Sequence, residues 1–415
     1  MSRIVVAGGG PAGFMAAIAA RERAGGAEVV VRDAGVPLAT LLRTGGGRCN
    51  LTNASFGPRD LPSQYPRGGS FLLSTFVRFG VEETMEWFRS RGIPLVVEDE
   101  GRVFPASGRA EDVKDLLLSE ARRLGVRVRA RAPVTRIERL AAGFIAAPEE
   151  RCDAVVVATG GDWGDREGSG YRLARALGHS TTQLAPSLRA LTTAEGWPAS
   201  LAGLALRGVR VVARFEGRKV SDETGDLLFT HRGVSGPLAF RVSARCALLP
   251  YSPRSPLSIL IALVPGGKAP GAGFREREEE LLALLTARPR QSIASVLRAH
   301  AARPLAAALC GIAGIDAGKP GSQATREERR ALARLLDALP LTVTGSEEGS
   351  EMVAAGGIRL AEVYPRTMES RIVPGLFFCG EVLDVDGFTG GFNLQAAWST
   401  GRLAGLGAAA RIGYD

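Results

Sequence analysis

Long apolar runs are missing from this chain. The longest, such as "LSILIALV" (257–264), fall well short of the roughly 20 residues that a bilayer-spanning helix needs. A secretory opening is missing too, because "MSRIVVAGGG" passes directly into a strand and a glycine turn. These two absences lead us to expect a soluble, cytoplasmic protein without membrane contact. Cysteine is scarce: Cys49, Cys152, Cys246, Cys310 and Cys379 are odd in number, widely spaced and free of any C-x-x-C pair. That argues against a disulfide framework or metal cluster and leaves reduced thiols as the expectation. His179, His231 and His300 are equally scattered, so no zinc site or other metal is expected. Lysine occurs only at 114, 219, 268 and 319, and the net charge of +9 comes from arginines spread along the whole chain. Without a basic block, the charge gives no positive reason to expect nucleic acid, and it would equally attract an anionic dinucleotide or an acidic substrate.

What is present begins at the first residues. "RIVVAGGGPAGFMAAIAARERAGGAEVVVRD" (3–33) reads as strand, glycine turn, helix and strand, with Gly8, Gly10 and Gly13 in G-x-G-x-x-G spacing around Pro11 and Ala12. Gly8 permits the tight turn, Gly10 lets backbone approach a pyrophosphate, and Gly13 lets the helix pack close to the strand. The helix start presents free N–H groups and the positive end of its dipole to the anion. Asp33 ends the second strand, where an acid takes the adenosine ribose hydroxyls.

FAD and NAD share an ADP half, so this motif alone does not separate them. The other end of the chain does. "VPGLFFCGEVLDVDGFTGGFNLQAAWSTGRLAG" (373–405) reads as a buried strand ending at Gly380 and Glu381, a glycine loop with Gly390 and Gly391, and a helix from about Asn393. A second strand-to-helix element, including Phe392 and Leu394, suits the ribityl chain and ring of a flavin. "DAVVVATGG" (153–161) adds a third strand, running into Ala158, Thr159, Gly160 and Gly161 on the same crevice. Three such strand ends favour non-covalent FAD. No second G-x-G-x-x-G context occurs, so NAD(P)H is a candidate electron donor without a dedicated domain.

The segments "TGGGRCNLTN" (44–53), "GRVFPAS" (101–107), "FTHRGVSGP" (229–237), "AAGGI" (354–358) and "YPRTMESRIVPGLFFCGEVLDVDGFTGGFNLQAAWSTG" (364–401) occur in this order. Together they resemble the HI0933-like, YhiN-like or BaiN-like family of FAD-dependent oxidoreductases, which includes proteins described as aminoacetone oxidases. The resemblance implies an α/β fold: a Rossmann-type FAD-binding domain of the glutathione-reductase type, an inserted β-barrel-like domain and a small helical insertion. The expected boundaries are 1–188 and 353–415 for the FAD-binding parts, 189–272 for the β-rich insertion with a return strand at 339–352, and 273–338 for the helices. The residues agree with this independently. Residues 203–265 alternate like short strands, whereas "FREREEELLALL", "SIASVLRAHAARPLAAALC" and "TREERRALARLLDAL" are amphipathic helices, and "LPLTVTG" (339–345) returns to strand character.

The chain departs from the family pattern in four places. Arg43 stands nearest where a lysine is usual, "GDWGDREG" (161–168) lacks the expected pattern, "PSLRALTT" (186–193) opens the insertion differently, and Glu381 replaces a commoner Asp.

The candidate cofactor-binding set is thus Gly8, Gly10, Pro11, Ala12, Gly13, Asp33, Arg48, Cys49, Asn50, Val134, Ala158, Thr159, Gly160, Gly161, Gly380, Glu381, Gly391, Phe392, Asn393 and Leu394. Arg48 is read as a partner of the flavin or its phosphates. Cys49 is read as a small buried residue rather than a redox thiol, having no resolving cysteine nearby. Asn50 and Asn53 suit side-chain bonds to loop backbone. His231 is a weak candidate for proton transfer, Cys379 a core residue, and Arg366 and Glu369 order the segment leading back to the FAD domain. The expected function is FAD-dependent oxidation or reduction of a small organic molecule at flavin N5. The alternatives are an FAD-containing RNA-modifying or nucleic-acid-binding protein, and a flavoprotein whose FAD is structural.

Overall fold

The computed structural model describes residues 2–148, 150–162, 169–264, 268–349 and 352–414. The chain divides into two compact units, Met1–Pro186 with Val353–Asp415, and Ser187–Met352.

The first unit is built on a parallel sheet. Its five strands lie in the order Leu376–Phe378, Ala154–Val157, Arg3–Ala7, Glu28–Arg32 and Arg127–Arg129, with Ile4 opposite both Val29 and Ala154. Runs such as VVV are needed because the inner strands of a parallel sheet are covered on both faces; Val5, Val30, Val155 and Phe377 have no exposed surface. The C-terminal strand ends at Phe378, and Gly380–Val382 form a turn of 3-10 helix rather than more strand. The first helix, Pro11–Arg23, and the last, Phe392–Arg411, are rich in alanine and glycine and buried along most of their length. Their composition follows from their closeness. A Cβ on Gly401 would lie 2.4 Å from the Ala12 carbonyl oxygen, and one on Gly405 would lie 2.1 Å from that of Ala16. An all-round apolar helix is a buried helix, so neither shows strong amphipathic periodicity.

The second unit is a closed six-stranded barrel in the order Leu191–Thr193, Gly233–Ser235, Arg218–Phe229, Ala205–Phe215, Leu257–Ala262 and Leu339–Ser346, the last pairing back to the first. The expectation of short strands over 203–265 is corrected here. Two strands are long, and Gly236–Cys246 is a helix. Its signal was present: Pro237 at the start and buried Leu238, Val242 and Cys246 at four-residue spacing. The amphipathic stretch 292–310 is also broken, into Ile293–Leu297 and Arg303–Ile312, because Pro304 is tolerated only in a first turn. Helix Arg326–Asp337 begins with a capping box of Thr325 and Glu328. Barrel and helices bury one core, in which Phe229, Ile259 and Val343 join Leu281, Leu309 and Leu336. Among the described residues, no helix is long and apolar enough to cross a membrane.

Candidate functional site: a glycine-lined crevice

In the first unit the carboxyl ends of the parallel strands converge, and the chain's glycine motifs meet there. The three glycines of the first turn serve different needs. Gly8 has φ +112°, and a Cβ there would lie 2.2 Å from the Ala158 carbonyl oxygen; one on Gly13 would lie 2.0 Å from that of Gly8. Both are demanded by the protein itself. A Cβ on Gly10 would meet nothing within 4 Å. The helix behind it starts with Pro11 and has no side-chain cap and no acid in its first turn. Open space before uncapped N–H groups fits an anion brought by a ligand, and the donor chemistry suits a pyrophosphate.

Asp33 is already engaged. Its Oδ2 accepts from the Gly9 N–H at 2.6 Å and its Oδ1 from the Gly35 N–H at 2.7 Å. A carboxylate offers about four acceptor sites, so this half-buried group retains capacity for ribose hydroxyls while it shapes the turn. The segment after Arg129 is tied to the same strand end, with the Ala132 N–H donating to the Asp33 carbonyl, and it carries Val134 in a buried position.

The other two strand ends close on the first helix. The Ala158 N–H donates to the Ala7 carbonyl at 2.7 Å, and Thr159 is exposed beyond it. A Cβ on Gly380 would lie 2.7 Å from the Cβ of Ala12, so the two ends of the chain share one wall. A Cβ on Gly161 would strike Ala354 and the Glu381 carboxyl, at 2.6 and 2.7 Å, while Gly160 faces open space. Glu381 Oε1 accepts from the Ala354 N–H at 2.6 Å. Burial pushes the Glu381 carboxyl up to about 7, with the charge of Asp386 adding to the effect and the Ala354 and Gly161 amides opposing it. Of the departure at 161–168, residues 163–168 lie outside the described residues.

The loop "TGGGRCNLTN" forms a collar on the start of the last helix. With its amide oriented to satisfy both ends, Asn50 accepts from the Gly391 N–H at 3.1 Å and donates to the Thr52 carbonyl at 3.1 Å. Asn53 donates to the carbonyls of Glu100 and Gly390 at 3.0 and 3.3 Å. Thr52 Oγ1 donates to Gln395 Oε1 at 2.5 Å, and Trp398 Nε1 to the Leu51 carbonyl at 3.0 Å. Gly391 takes φ +95° and lies against Thr52, where a Cβ would come within 2.5 Å of the carbonyl oxygen. Asn393 pins the glycine loop, accepting from the Gly387 N–H at 2.8 Å and donating to its carbonyl at 2.9 Å. Phe392 is buried, its carbonyl bonded by the Tyr65 hydroxyl at 2.6 Å, and Leu394 is half-buried. Like the first helix, this one has no side-chain cap and no acid in its first turn.

Two members of the candidate cofactor set are engaged within the protein itself, one by an ion pair and one by burial. The Arg48 guanidinium pairs with Glu98 and stacks over Phe104 at 4.1 Å from the ring centroid. Cys49 is fully buried, and burial pushes its thiol up to about 12, far from a reactive thiolate. Cys379 is likewise core. His231 is exposed at the turn Thr230–Gly233 of the barrel unit. Glu369 accepts from the Gly375 N–H at 2.8 Å and orders its segment, while Arg366 is exposed. Sequence reasoning missed Gln395 and Tyr65. Gln395 also donates to the Gly80 carbonyl at 3.1 Å and to Thr84 Oγ1 at 3.0 Å, partners too distant in sequence to leave a local signal.

With this geometry in place, the relatives of the chain become informative. The model of the HI0933-like protein Rossmann domain matches residues 2–407. A 3-dehydro-bile acid delta(4,6)-reductase of Clostridium scindens is 32% identical over 99% of this chain and 100% of its own length. A ribosomal RNA dihydrouridine synthase of Escherichia coli is 30% identical over 95% of each chain, and one of Haemophilus influenzae is 29% identical over 98% of each.

Proposed function

The chain belongs to the HI0933-like family and is an FAD-dependent oxidoreductase, and from that premise we propose that it is a reductase acting on a carbon–carbon double bond conjugated to a carbonyl. The names of its relatives support the reaction class. Reduction at a delta(4,6) position of a 3-dehydro bile acid and formation of dihydrouridine from uridine both saturate such a bond. Conjugation is what makes the bond reducible, because hydride added at the far carbon leaves its charge on the carbonyl oxygen.

The open space at Gly10, before an uncapped helix start, carries the assignment of the site. Pro11, Ala12 and Gly13 would present that helix to the pyrophosphate, with Gly8 turning the chain. Asp33 would take the adenosine ribose, with the Val134 segment beside it. Ala158–Gly161, Gly380, Glu381 and Gly391–Leu394 would hold the ribityl and ring half. When bound, FAD supplies hydride-transfer chemistry. The protein contributes position and field: the uncapped start of the last helix favours negative charge near it, and the Asn50, Thr52 and Asn53 contacts hold that start rigid. NAD(P)H is the proposed electron donor, used without a domain of its own.

Anaerobic stopped-flow spectroscopy tests this reading. The flavin should be reduced by NADH, NADPH or dithionite and then reoxidised by enones, with saturated ketones leaving it reduced. Reduction of the flavin by amines, with enones inert, would replace the reductase by an amine oxidase. A flavin that no donor or acceptor affects would instead be structural.

A further inference from the structure

One histidine is buried in the flavin unit. His179 has 4% of its surface exposed, and its hydrogen-bond partner Ser370 has 2%. Nδ1 of the imidazole lies 3.2 Å from the Ala174 carbonyl, which only accepts, so Nδ1 carries the proton. That leaves Nε2 as an acceptor, and the Ser370 hydroxyl donates to it at 2.7 Å. Ser370 Oγ in turn accepts from the N–H groups of Ile372 and Val373, at 3.0 and 2.8 Å. The hydroxyl's proton and both its lone pairs are thus engaged, and the arrangement holds only with a neutral imidazole.

These bonds join two walls of the crevice. His179 follows helix Gly170–Ala176, while Ser370 lies in the segment leading into strand Leu376–Phe378. The imidazole also packs edge-on against Phe378, the last residue of that strand, with ring centroids 4.8 Å apart and planes at 71°. At its other end the helix reaches the glycine-lined turns. A Cβ on Gly170 would lie 2.3 Å from Thr159 Oγ1 and 2.6 Å from Val382 Cγ2, and the Tyr171 hydroxyl donates to the Glu381 carbonyl at 3.5 Å. A seven-residue helix is too short to be held by its own hydrogen bonds, so its place depends on such anchors.

We propose that His179 is a positioning residue for the flavin-ring half of the crevice: neutral, it pins this helix to the neighbouring strand, and protonated, it frees the helix and weakens the hold on FAD. The proposal rests on the placement of FAD in this crevice. A proton on Nε2 would point at an oxygen that already carries its own hydrogen and two amide donors, in a place with almost no exposed surface. Burial pushes the imidazole below its usual 6.5, while the Ala174 carbonyl and the Glu362 carboxylate oppose the change. Glu362 is held in place by the Ser180 N–H at 2.9 Å. The charged neighbours on the packed segments are turned elsewhere: Glu369 accepts from the Gly375 N–H, Arg371 lies over Tyr364, and Arg175 donates to Thr181. Because the value in the pinned state is depressed, the loosened state binds the proton more readily, and the pin weakens as pH falls below 6.5.

The test takes the full-length FAD-loaded protein from about pH 8 to about pH 5. FAD dissociation on dilution is read by flavin fluorescence, and amide hydrogen exchange is read across residues 170–182, corrected for intrinsic exchange. His179→Gln keeps an uncharged acceptor for Ser370. Glu381 titrates in an overlapping range, so the quantity compared is the ratio of parental to variant dissociation constants at each pH. That ratio should rise about tenfold over the range, and exchange across the helix should quicken in acid in the parent alone. Glu362→Gln keeps partners for Ser180 but removes a charge that favours the protonated imidazole. It should move the acid limb to lower pH by about half a unit, a shift that a purely structural role would not produce. Parallel affinity profiles for the parent and His179→Gln would overturn the proposal, even where exchange quickens in acid. If His179→Gln fails to fold, the Glu362→Gln comparison decides, and an unmoved acid limb overturns the proposal. Failure of the crevice placement would appear separately, as parental FAD affinity in a folded Gly10→Val protein.

Discussion

The two units of this molecule lean on different means to specify their structures. In the flavin unit, side chains are removed wherever backbone must approach backbone: Gly8 against Ala158, Gly13 against Gly8, Gly401 and Gly405 against the first helix. In the barrel unit, side chains are added, with alternating strands and helices interdigitating in one core around Phe229 and Leu336. Close backbone approach fixes a crevice to within fractions of an ångström and tolerates almost no substitution. A packed side-chain core yields by degrees. The difference fits the placement of the family-like segments, four of the five of which lie in the flavin unit.

The comparison is sharpest at the largest effects. Gly405→Leu should abolish folding of the flavin unit, a loss above about 4 kcal/mol, because its Cβ has the Ala16 carbonyl 2.1 Å away and backbone cannot move aside. Soluble yield and bound flavin are the measures, and a soluble, yellow variant would break the contrast. Phe229→Ala in the barrel, at a fully buried ring, should cost about 3–5 kcal/mol in urea unfolding, severe but graded with the cavity left.

Smaller effects come from charge and capping. The folded-state pKa of Glu381 is raised from 4.5 to about 7. The folded protein therefore holds a proton that the unfolded chain has lost, and stability should fall as pH rises across that interval. In FAD-free protein, Glu381→Gln should remove this slope and gain about 2 kcal/mol on the parent at pH 8, with little difference at pH 4. Parallel pH profiles would show the carboxyl to be ordinary. In the barrel unit, Thr325→Ala should cost about 1 kcal/mol through loss of the capping box, as a shift in urea midpoint.

The sequence was most readable where one local pattern forces one structure. The Val-rich runs at 4–6 and 155–157 are strands buried on both faces, and Gly8 and Gly13 can serve only close approaches. It was less readable where two local signals compete. Alternation across 203–265 concealed the Gly236–Cys246 helix, although Pro237 and the spacing of Leu238, Val242 and Cys246 marked it. It was silent on pairings set by tertiary structure. Nothing near Arg48 points to its ion pair with Glu98, fifty residues away. Nothing near Thr52 points to Gln395. Cys49, chemically the most reactive residue type in its loop, is buried and protonated, whereas its quieter neighbours Asn50 and Asn53 hold the last helix in place.

Gly10 is where the two ways of using a glycine part company, since the protein itself leaves its missing side chain unopposed. FAD titration and urea unfolding of a Gly10→Val variant therefore test the crevice directly. FAD affinity should fall at least about tenfold, equivalent to about 1.4 kcal/mol, while the FAD-free protein keeps its stability within about 1 kcal/mol. Parental FAD affinity in a folded Gly10→Val protein would contradict the placement of the cofactor in this crevice.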